Sequence, residues 1–184
     1  MPQDFVAMFA GFGFATAAGL NAWVTLFLVS LAGRLGYLTL GQPYDVMTST
    51  PIMVLLFVVM LVEGLADKIP GVDHASHVVH GVLQPIAGAV LFASQAGIIT
   101  DMAPVLAFIV GALVAGTVHA ARATVRPVVT VSTAGMGNAV VSAGEDAAAV
   151  AITVASLLVP VLAAFLIVCL VLAVFWLWRR RRRT

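Results

Sequence analysis

Residues 173–184 read AVFWLWRRRRRT, and this junction decides how the rest of the chain is interpreted. An apolar run ends in two tryptophans and is followed at once by Arg179, Arg180, Arg181, Arg182 and Arg183. An apolar segment, aromatic residues at the lipid–water boundary and a block of positive charge are typical of the cytoplasmic end of a transmembrane helix. Each basic side chain near an anionic leaflet adds about 1 kcal/mol of attraction. We therefore expect a cytoplasmic C-terminus whose tail contacts anionic lipids.

The composition excludes an ordinary soluble domain. Of 184 residues, 62% are hydrophobic and only 9% are charged, whereas about a quarter of the residues in soluble domains are charged. Outside the arginine tail, eight acidic residues accompany four basic ones. Nucleic-acid binding has no support, because membrane topology explains the one basic run. The single cysteine, Cys169, excludes an internal disulfide.

Apolar segments separated by turn-rich stretches predict an all-α protein, a polytopic transmembrane helix bundle that forms one domain over residues 1–184. About six spans are expected, with short or broken helices. As one helix, the stretch from Asn138 to Trp178 would be about 60 Å long, twice the hydrocarbon thickness, so we divide it near residues 156–160. That turn is apolar, and five spans remain an alternative. The spans are expected near residues 20–33, 51–66, 82–99, 104–119, 138–156 and 160–178, followed by the cytoplasmic polybasic tail 179–184.

The distribution of basic residues gives an orientation. In the six-span arrangement, Lys68, Arg122 and Arg126 fall in loops on the same side as the arginine tail, and Arg34 falls on the other side. This asymmetry satisfies the positive-inside rule. The N-terminus is then also expected in the cytoplasm, with the stretch before residue 20 forming a short entry segment.

The first polar cluster contains Glu63, Asp67 and Lys68 at the end of the second span. The two carboxylates are four residues apart and share one helix face. An ionisable residue at membrane depth is costly, and it marks a candidate functional site. The cluster predicts either a structural ion pair or a site for a cation or proton.

The second cluster contains Asp73, His74, His77 and His80. Histidine and aspartate are ligands for divalent metals. However, histidines spaced three apart drift around a helix axis, and histidines at a membrane surface are more often solvated. We therefore expect no metal here, and Asp73, His74 and His77 are only weak candidate ligands.

The third cluster is the pair Glu145 and Asp146, placed about 10 Å beyond Asn138 in the fifth span. An unpaired carboxylate at this depth would be very unfavourable. Arg122 and Arg126, one helical turn apart, are the expected partners. The cluster predicts either an ion pair that holds the bundle together or part of a pathway for a substrate or proton.

Two weak similarities between segments of the chain suggest an internal duplication. The pattern from His77 to Pro85 and the pattern from His119 to Pro127 share their spacing at a shift of 42 residues. The segment GLNA at residues 19–22 similarly resembles MGNA at residues 136–139. In both copies a proline is expected to restart a helix, which would place polar groups beside helix ends. Duplicated halves with corresponding helix breaks are typical of transporters.

These residues resemble a family of bacterial integral membrane proteins known as domain of unknown function 4126. The resemblance implies a location in the bacterial cytoplasmic (inner) membrane and brings no activity with it. Two positions depart from the family pattern, since Gln84 stands where an arginine is expected and Arg122 where a lysine is familiar. The resemblance covers most of the chain and rests on GLNA at 19–22, ADKIPGVD at 66–73, His80 to Pro85, HAARATVRP at 119–127 and Glu145-Asp146.

The leading functional hypothesis is a small-solute or ion transporter, or a channel, with an intramembrane site built from carboxylates and arginines. The alternative is a non-transporting scaffold or accessory subunit, assembled as a homo-oligomer or within a larger membrane complex. Enzymatic activity, including lipid handling, is not expected, and neither is a cofactor. The predicted pathway residues are Glu63, Asp67, Lys68, His80, His119, Arg122, Arg126, Asn138, Glu145 and Asp146.

Overall fold

The computed structural model describes residues 3–66, 73–96 and 103–158. These ranges contain helices and no strand, which confirms the prediction of an all-α bundle. The predicted sixth span and the arginine tail lie outside the described residues, as do Asp67 and Lys68. The helices are α1 (Gln3–Leu20), α2 (Ala22–Arg34), a short 3-10 helix (Tyr44–Thr48), α3 (Thr50–Ala66), α4 (Asp73–Ala96), α5 (Pro104–Thr133) and α6 (Asn138–Leu158).

One residue, Asn21, separates α1 from α2. Its backbone nitrogen still donates to the carbonyl of Ala17, as α1 requires, but its φ of −144° and ψ of 109° are those of extended chain. Its side-chain oxygen then accepts a hydrogen bond from the backbone nitrogen of Val24 at 3.0 Å. Asparagine is a favoured N-cap because it satisfies a backbone donor that the first turn leaves open. The break is therefore a defined cap between two helices.

Successive helices run in opposite directions between two ends of the bundle. At one end, which we call the break end, α1 meets α2 at Asn21. At the other, the connection end, the backbone nitrogen of Gly41 donates to the carbonyl of Ser94 at 2.8 Å. The rings of Phe12 and Phe92 pack edge to face with their centroids 5.0 Å apart, whereas the end of α1 at Leu20 contacts Gln84. Helix α1 therefore begins at the connection end. The connection between α2 and α3 thus lies at the same end as the start of α1.

This placement differs from the expected topology. In the six-span arrangement, the N-terminus lies on the opposite side from the α2–α3 connection. The difference arises because α1 is an 18-residue helix in the core rather than a short entry segment. Its buried side chains are small or aromatic, and they let α4 and α5 pack closely around it. Those fully buried are Phe14, Ala15, Ala17 and Ala18.

Glycines allow α4 and α5 to come unusually close. A Cβ atom at Gly111 would lie 2.6 Å from the Cβ of Phe92 and would also collide with the carbonyl oxygen of Gly88. A Cβ at Gly88 would lie 2.8 Å from the carbonyl oxygen of Gly111. Small residues at such crossings are typical of helix packing in membranes, where close van der Waals contact drives association.

The two interior prolines do not restart helices as expected. Helix α4 already begins at Asp73 and continues through Pro85, and α5 continues through Pro127 to Thr133. The predicted loop over residues 119–137 is therefore mostly helix, and only 134–137 form a turn. A proline inside a helix removes one backbone hydrogen bond. Both helices continue past their proline while packed against each other and against α1.

Two of the described helices are long and apolar enough to cross a membrane. They are α5, with a mean hydropathy of 1.9, and α6, with a mean hydropathy of 1.5. The core helix of a soluble protein would be mostly buried, whereas only 17% and 22% of their most apolar windows are buried here. Helices α2 and α3 are also apolar but shorter. This apolar exterior indicates association with a membrane.

Candidate functional site

Side chains from α3, α4, α5 and α6 and from Asn21 meet near the last carbonyl of α1, at the break end of the bundle. We call this group the polar cluster. Most of its members are buried although they carry charge or strong hydrogen-bonding groups. Its members are Asn21, Glu63, His80, Gln84, His119, Arg122, Arg126, Glu145 and Asp146.

Two charged contacts to one carboxylate oxygen join α5 to α6. Arg126 donates from its terminal nitrogen to Oε2 of Glu145 at 2.6 Å, and Nε of Arg122 lies 2.8 Å from the same oxygen. The arginine side chains are each 7% exposed and the glutamate side chain 12%. Removing one partner of such a buried pair leaves an uncompensated charge. The prediction that these arginines pair with the acidic residues of α6 is confirmed for Glu145.

Arg122 also reaches the break between α1 and α2. Arg122 donates from NH1 to the carbonyl oxygen of Leu20 at 2.6 Å, and Gln84 donates from its side-chain amide to that oxygen at 3.2 Å. The last carbonyls of a helix have no partner within the helix and carry partial negative charge. Donors from α4 and α5 therefore meet at the end of α1.

Asn21 joins the break to α6. While its oxygen caps α2, its side-chain nitrogen donates to Oδ1 of Asp146 at 2.8 Å. Asp146 is thus held by α2, whereas the adjacent Glu145 is held by α5. Adjacent residues on a helix point about 100° apart, which explains how one short segment of α6 contacts two different neighbours.

A second acid–base pair lies between α3 and α4. The Nε2 atom of His80 is 2.7 Å from Oε1 of Glu63, and the two side chains are 7% and 11% exposed. The other carboxylate oxygen, Oε2, is buried and has no hydrogen-bond partner among the described residues. The two oxygens of one buried carboxylate thus have unlike surroundings.

Gln84 connects α4 to both α1 and α5. Because its amide nitrogen donates to the carbonyl of Leu20, its oxygen is the acceptor for Nδ1 of His119. This assigns the proton of the His119 ring to Nδ1. Gln84 is only 1% exposed, and its uncharged amide bridges α1 and α5.

The structure brings together seven of the ten predicted pathway residues: Glu63, His80, His119, Arg122, Arg126, Glu145 and Asp146. Asn138 instead begins α6, where its side-chain oxygen accepts a hydrogen bond from Thr130 at 3.0 Å. The predicted pathway residues Asp67 and Lys68 lie outside the described ranges.

The metal candidates are not tested as ligands. Asp73, His74 and His77 lie in the first turns of α4, and their side chains fall outside the described part of the chain. Within residues 3–66, 73–96 and 103–158, as far as side chains are described, no group of three or more histidine, cysteine or acidic residues could hold a metal ion. The absence of a metal and of a cofactor stays a prediction.

Sequence reasoning missed two contributors to the cluster. Asn21 and Gln84 were both noted within motifs, but neither was predicted to line the site. The available signal was a polar side chain within an apolar run, since Asn21 interrupts the stretch from Phe5 to Gly33, which is too long for one span. The carbonyl of Leu20 carries no side-chain signal at all, because only the fold shows where a helix ends.

Comparisons with known proteins give one match. A family model described as a domain of unknown function, DUF4126, matches residues 8–180. No curated protein and no solved structure matches the chain. The matched range includes the whole polar cluster.

Proposed function

The chain belongs to the DUF4126 family, and from its polar cluster we propose that it is a transporter or channel for small solutes or ions. The family description names no activity, so the proposal rests on the chemistry of the site. The observation that carries it is the convergence of buried charges on the break between α1 and α2. A bundle that only had to pack would not require this arrangement.

The break between α1 and α2 supports a role in transport. Secondary transporters commonly bind substrates where a membrane helix is interrupted, because the exposed ends of the two half-helices provide partial charges away from water. Here the end of α1 offers the Leu20 carbonyl and the start of α2 carries its capping residue, Asn21. Both ends lie against ionisable side chains.

The charged side chains of the polar cluster also support a role in transport. Arg122 and Arg126 contact one carboxylate oxygen of Glu145, and Asp146 is held by an uncharged amide. An arriving anion would compete with Glu145 for the guanidinium groups, and an arriving cation would compete with Asn21 for Asp146. Charged residues that face the interior of a membrane bundle mark ion and substrate pathways.

The proposed setting is the bacterial cytoplasmic (inner) membrane, crossed several times. With the arginine tail in the cytoplasm, the positive-inside rule places the break end on the cytoplasmic side. The polar cluster would then open toward the cytoplasm, and the connection between α2 and α3 would face the other side.

The test is a flux measurement on the purified full-length protein in liposomes. Gradients of sodium, potassium, chloride, phosphate and acetate are imposed one at a time, and solute movement is compared with that in empty vesicles. We expect movement of at least one solute, reduced by about tenfold or more in Glu145→Gln. Asp45→Asn, which changes an exposed acid at the other end of the bundle, is the matched control and should leave flux unchanged. Flux that is equal in Glu145→Gln and the wild type would refute the proposal.

A non-transporting scaffold or accessory subunit is the second candidate. It is favoured by the close crossing of α4 and α5 at Gly88 and Gly111, which is suited to tight packing. In this role the ion pairs would only stabilise the bundle. The scaffold predicts no flux for any solute in the series and copurification with a stoichiometric membrane partner.

A further inference from the structure

We propose that the Glu63–His80 pair is a proton-binding site, and that movement through the polar cluster is coupled to protons. This inference rests on the proposed function and adds the coupling ion to it. It concerns the α3–α4 side of the cluster, which is distinct from the arginine–glutamate contacts between α5 and α6.

Geometry separates this pair from the other charged pairs. His80 and Glu63 are in hydrogen-bond contact at 2.7 Å and are largely removed from solvent. Only one carboxylate oxygen is engaged, since Oε2 is buried without a partner among the described residues. A buried carboxylate oxygen without a donor is unfavourable unless it gains one. A proton is the smallest ligand that meets this requirement.

The chemistry of the neighbours points to the same pair. Arginine keeps its proton under all relevant conditions, so Arg122 and Arg126 are not candidates for proton exchange. Histidine is the side chain that changes charge near neutral pH, and His80 contacts a carboxylate directly. The other titratable or charged groups of the cluster are His119, Arg122 and Arg126 on α5 and Glu145 and Asp146 on α6, while α1 and α2 contribute none there.

Uptake of one proton changes the net charge of the Glu63–His80 pair from −1 to zero. Before uptake, a single proton lies between Nε2 and Oε1, and the pair is a neutral imidazole hydrogen-bonded to a carboxylate. A second proton, taken from water, forms either an N–H bond at Nδ1 or an O–H bond at Oε2. Its release to water restores the starting state. No electron transfer or further reactant is needed.

A short path connects the pair to the helix break. His80 and Gln84 are four residues apart and share one face of α4. Gln84 in turn donates to the Leu20 carbonyl and accepts from His119. When the charge of the Glu63–His80 pair changes, the hydrogen bond from Gln84 to the end of α1 is affected, because both groups lie on α4. Protonation can therefore alter the site where the two half-helices meet.

The experiment measures proton movement directly. The full-length protein is placed in liposomes that contain a pH-sensitive dye, and a membrane potential is imposed with potassium and valinomycin in the presence of each solute that the wild type moves. We expect the wild type to acidify the lumen, and Glu63→Gln to lower the rate by about tenfold or more. His80→Gln should have a similar effect, and Asp45→Asn should have none.

A second measurement keeps the inference testable if transport by these variants is lost through misfolding. Infrared difference spectra of the wild type are recorded between about pH 8 and about pH 5, the range in which histidine changes charge. A protonation signal that Glu63→Gln and His80→Gln each alter supports the pair as the site. Solute flux without proton movement, or spectra identical in all variants, would overturn this inference and leave the proposed function standing. Absence of any solute flux in the wild type would overturn the proposed function itself.

Discussion

Asn21 is the residue on which the break end depends, because one amide serves two purposes. Its oxygen caps α2, and its nitrogen holds the carboxylate of Asp146. An N-cap contributes about 1 kcal/mol to helix stability. An acceptor at the bundle interior that loses its donor costs about 1–3 kcal/mol, and more when it is charged.

Two substitutions at this position separate the purposes. Asn21→Ser keeps a capping oxygen and loses the contact with Asp146, so we expect a modest loss of about 1–3 kcal/mol. Asn21→Asp also keeps a cap but places a second carboxylate against Asp146, and it should be the more destabilising variant. Thermal unfolding in mild detergent measures the order. If the aspartate variant were as stable as the wild type, the contact with Asp146 would not be formed.

The pair of Arg126 and Glu145 allows a double-mutant cycle. Arg126→Met and Glu145→Gln should each cost about 3–5 kcal/mol, since each leaves a buried charge with fewer partners. The double variant should cost less than the two single losses added together, because it removes both charges. Denaturant unfolding of the four proteins gives the coupling free energy. Additive losses would contradict the contact.

At the residue scale, the sequence predicted the pairing of the charged side chains better than it predicted the uncharged groups around them. The spacing of Arg122 and Arg126 and the depth of Glu145 were enough to predict their pairing. The role of Asn21 was not predictable in the same way, because its partner lies 125 residues away. Such a contact depends on how α2 and α6 are brought together, which local patterns do not determine.

At the element scale, the crossing of α4 and α5 sets how closely the cluster is assembled. Pro85 and Gly88 on α4 face Gly116 and Gly111 on α5, a few residues from the Gln84–His119 contact. The expectation that Pro85 and Pro127 restart helices was wrong, because a proline favours a helix start but is also found inside a helix that it kinks. The positions of α3 and α6 followed from their apolar runs.

A methyl group at the crossing should be costly. Gly111→Ala would force the Cβ of residue 111 against Phe92 and the backbone of Gly88, and overpacking of this kind costs about 1–3 kcal/mol. Gly144→Ala is the matched control, since nothing lies within 4 Å of its Cβ position and alanine is the better helix former. Thermal unfolding should show a loss for the first and none for the second. Equal behaviour would mean that the helices do not cross at Gly111.

At the scale of the whole molecule, the alternating directions of the six α-helices in residues 3–66, 73–96 and 103–158 give a topology that can be measured. Gln42 lies at the connection end and Met136 in the turn at the break end, and both are exposed. The count of spans from sequence left out α1, because the stretch before residue 20, which contains Gly11, Gly13 and Gly19, was expected to be only a short entry segment. In the structure those glycines face other helices at Phe92, Ser156 and Val118.

Cysteine labelling tests this topology. In a Cys169→Ser background, Gln42→Cys should react with a membrane-impermeant thiol reagent in intact cells, and Met136→Cys only after permeabilisation. A tag at the N-terminus should be accessible from the same side as residue 42, because α1 begins at the connection end. Equal labelling of both positions in intact cells would contradict the arrangement.

The central claim is that the buried charges at the helix break serve transport and do not only stabilise the bundle. The most direct test compares Glu145→Gln with Gly111→Ala in one series, recording both the unfolding temperature and the liposome flux of each. We predict that Gly111→Ala, although destabilised, keeps most of its flux while it is folded, whereas Glu145→Gln loses about tenfold or more. Flux that falls in both variants in proportion to their loss of stability would contradict the claim.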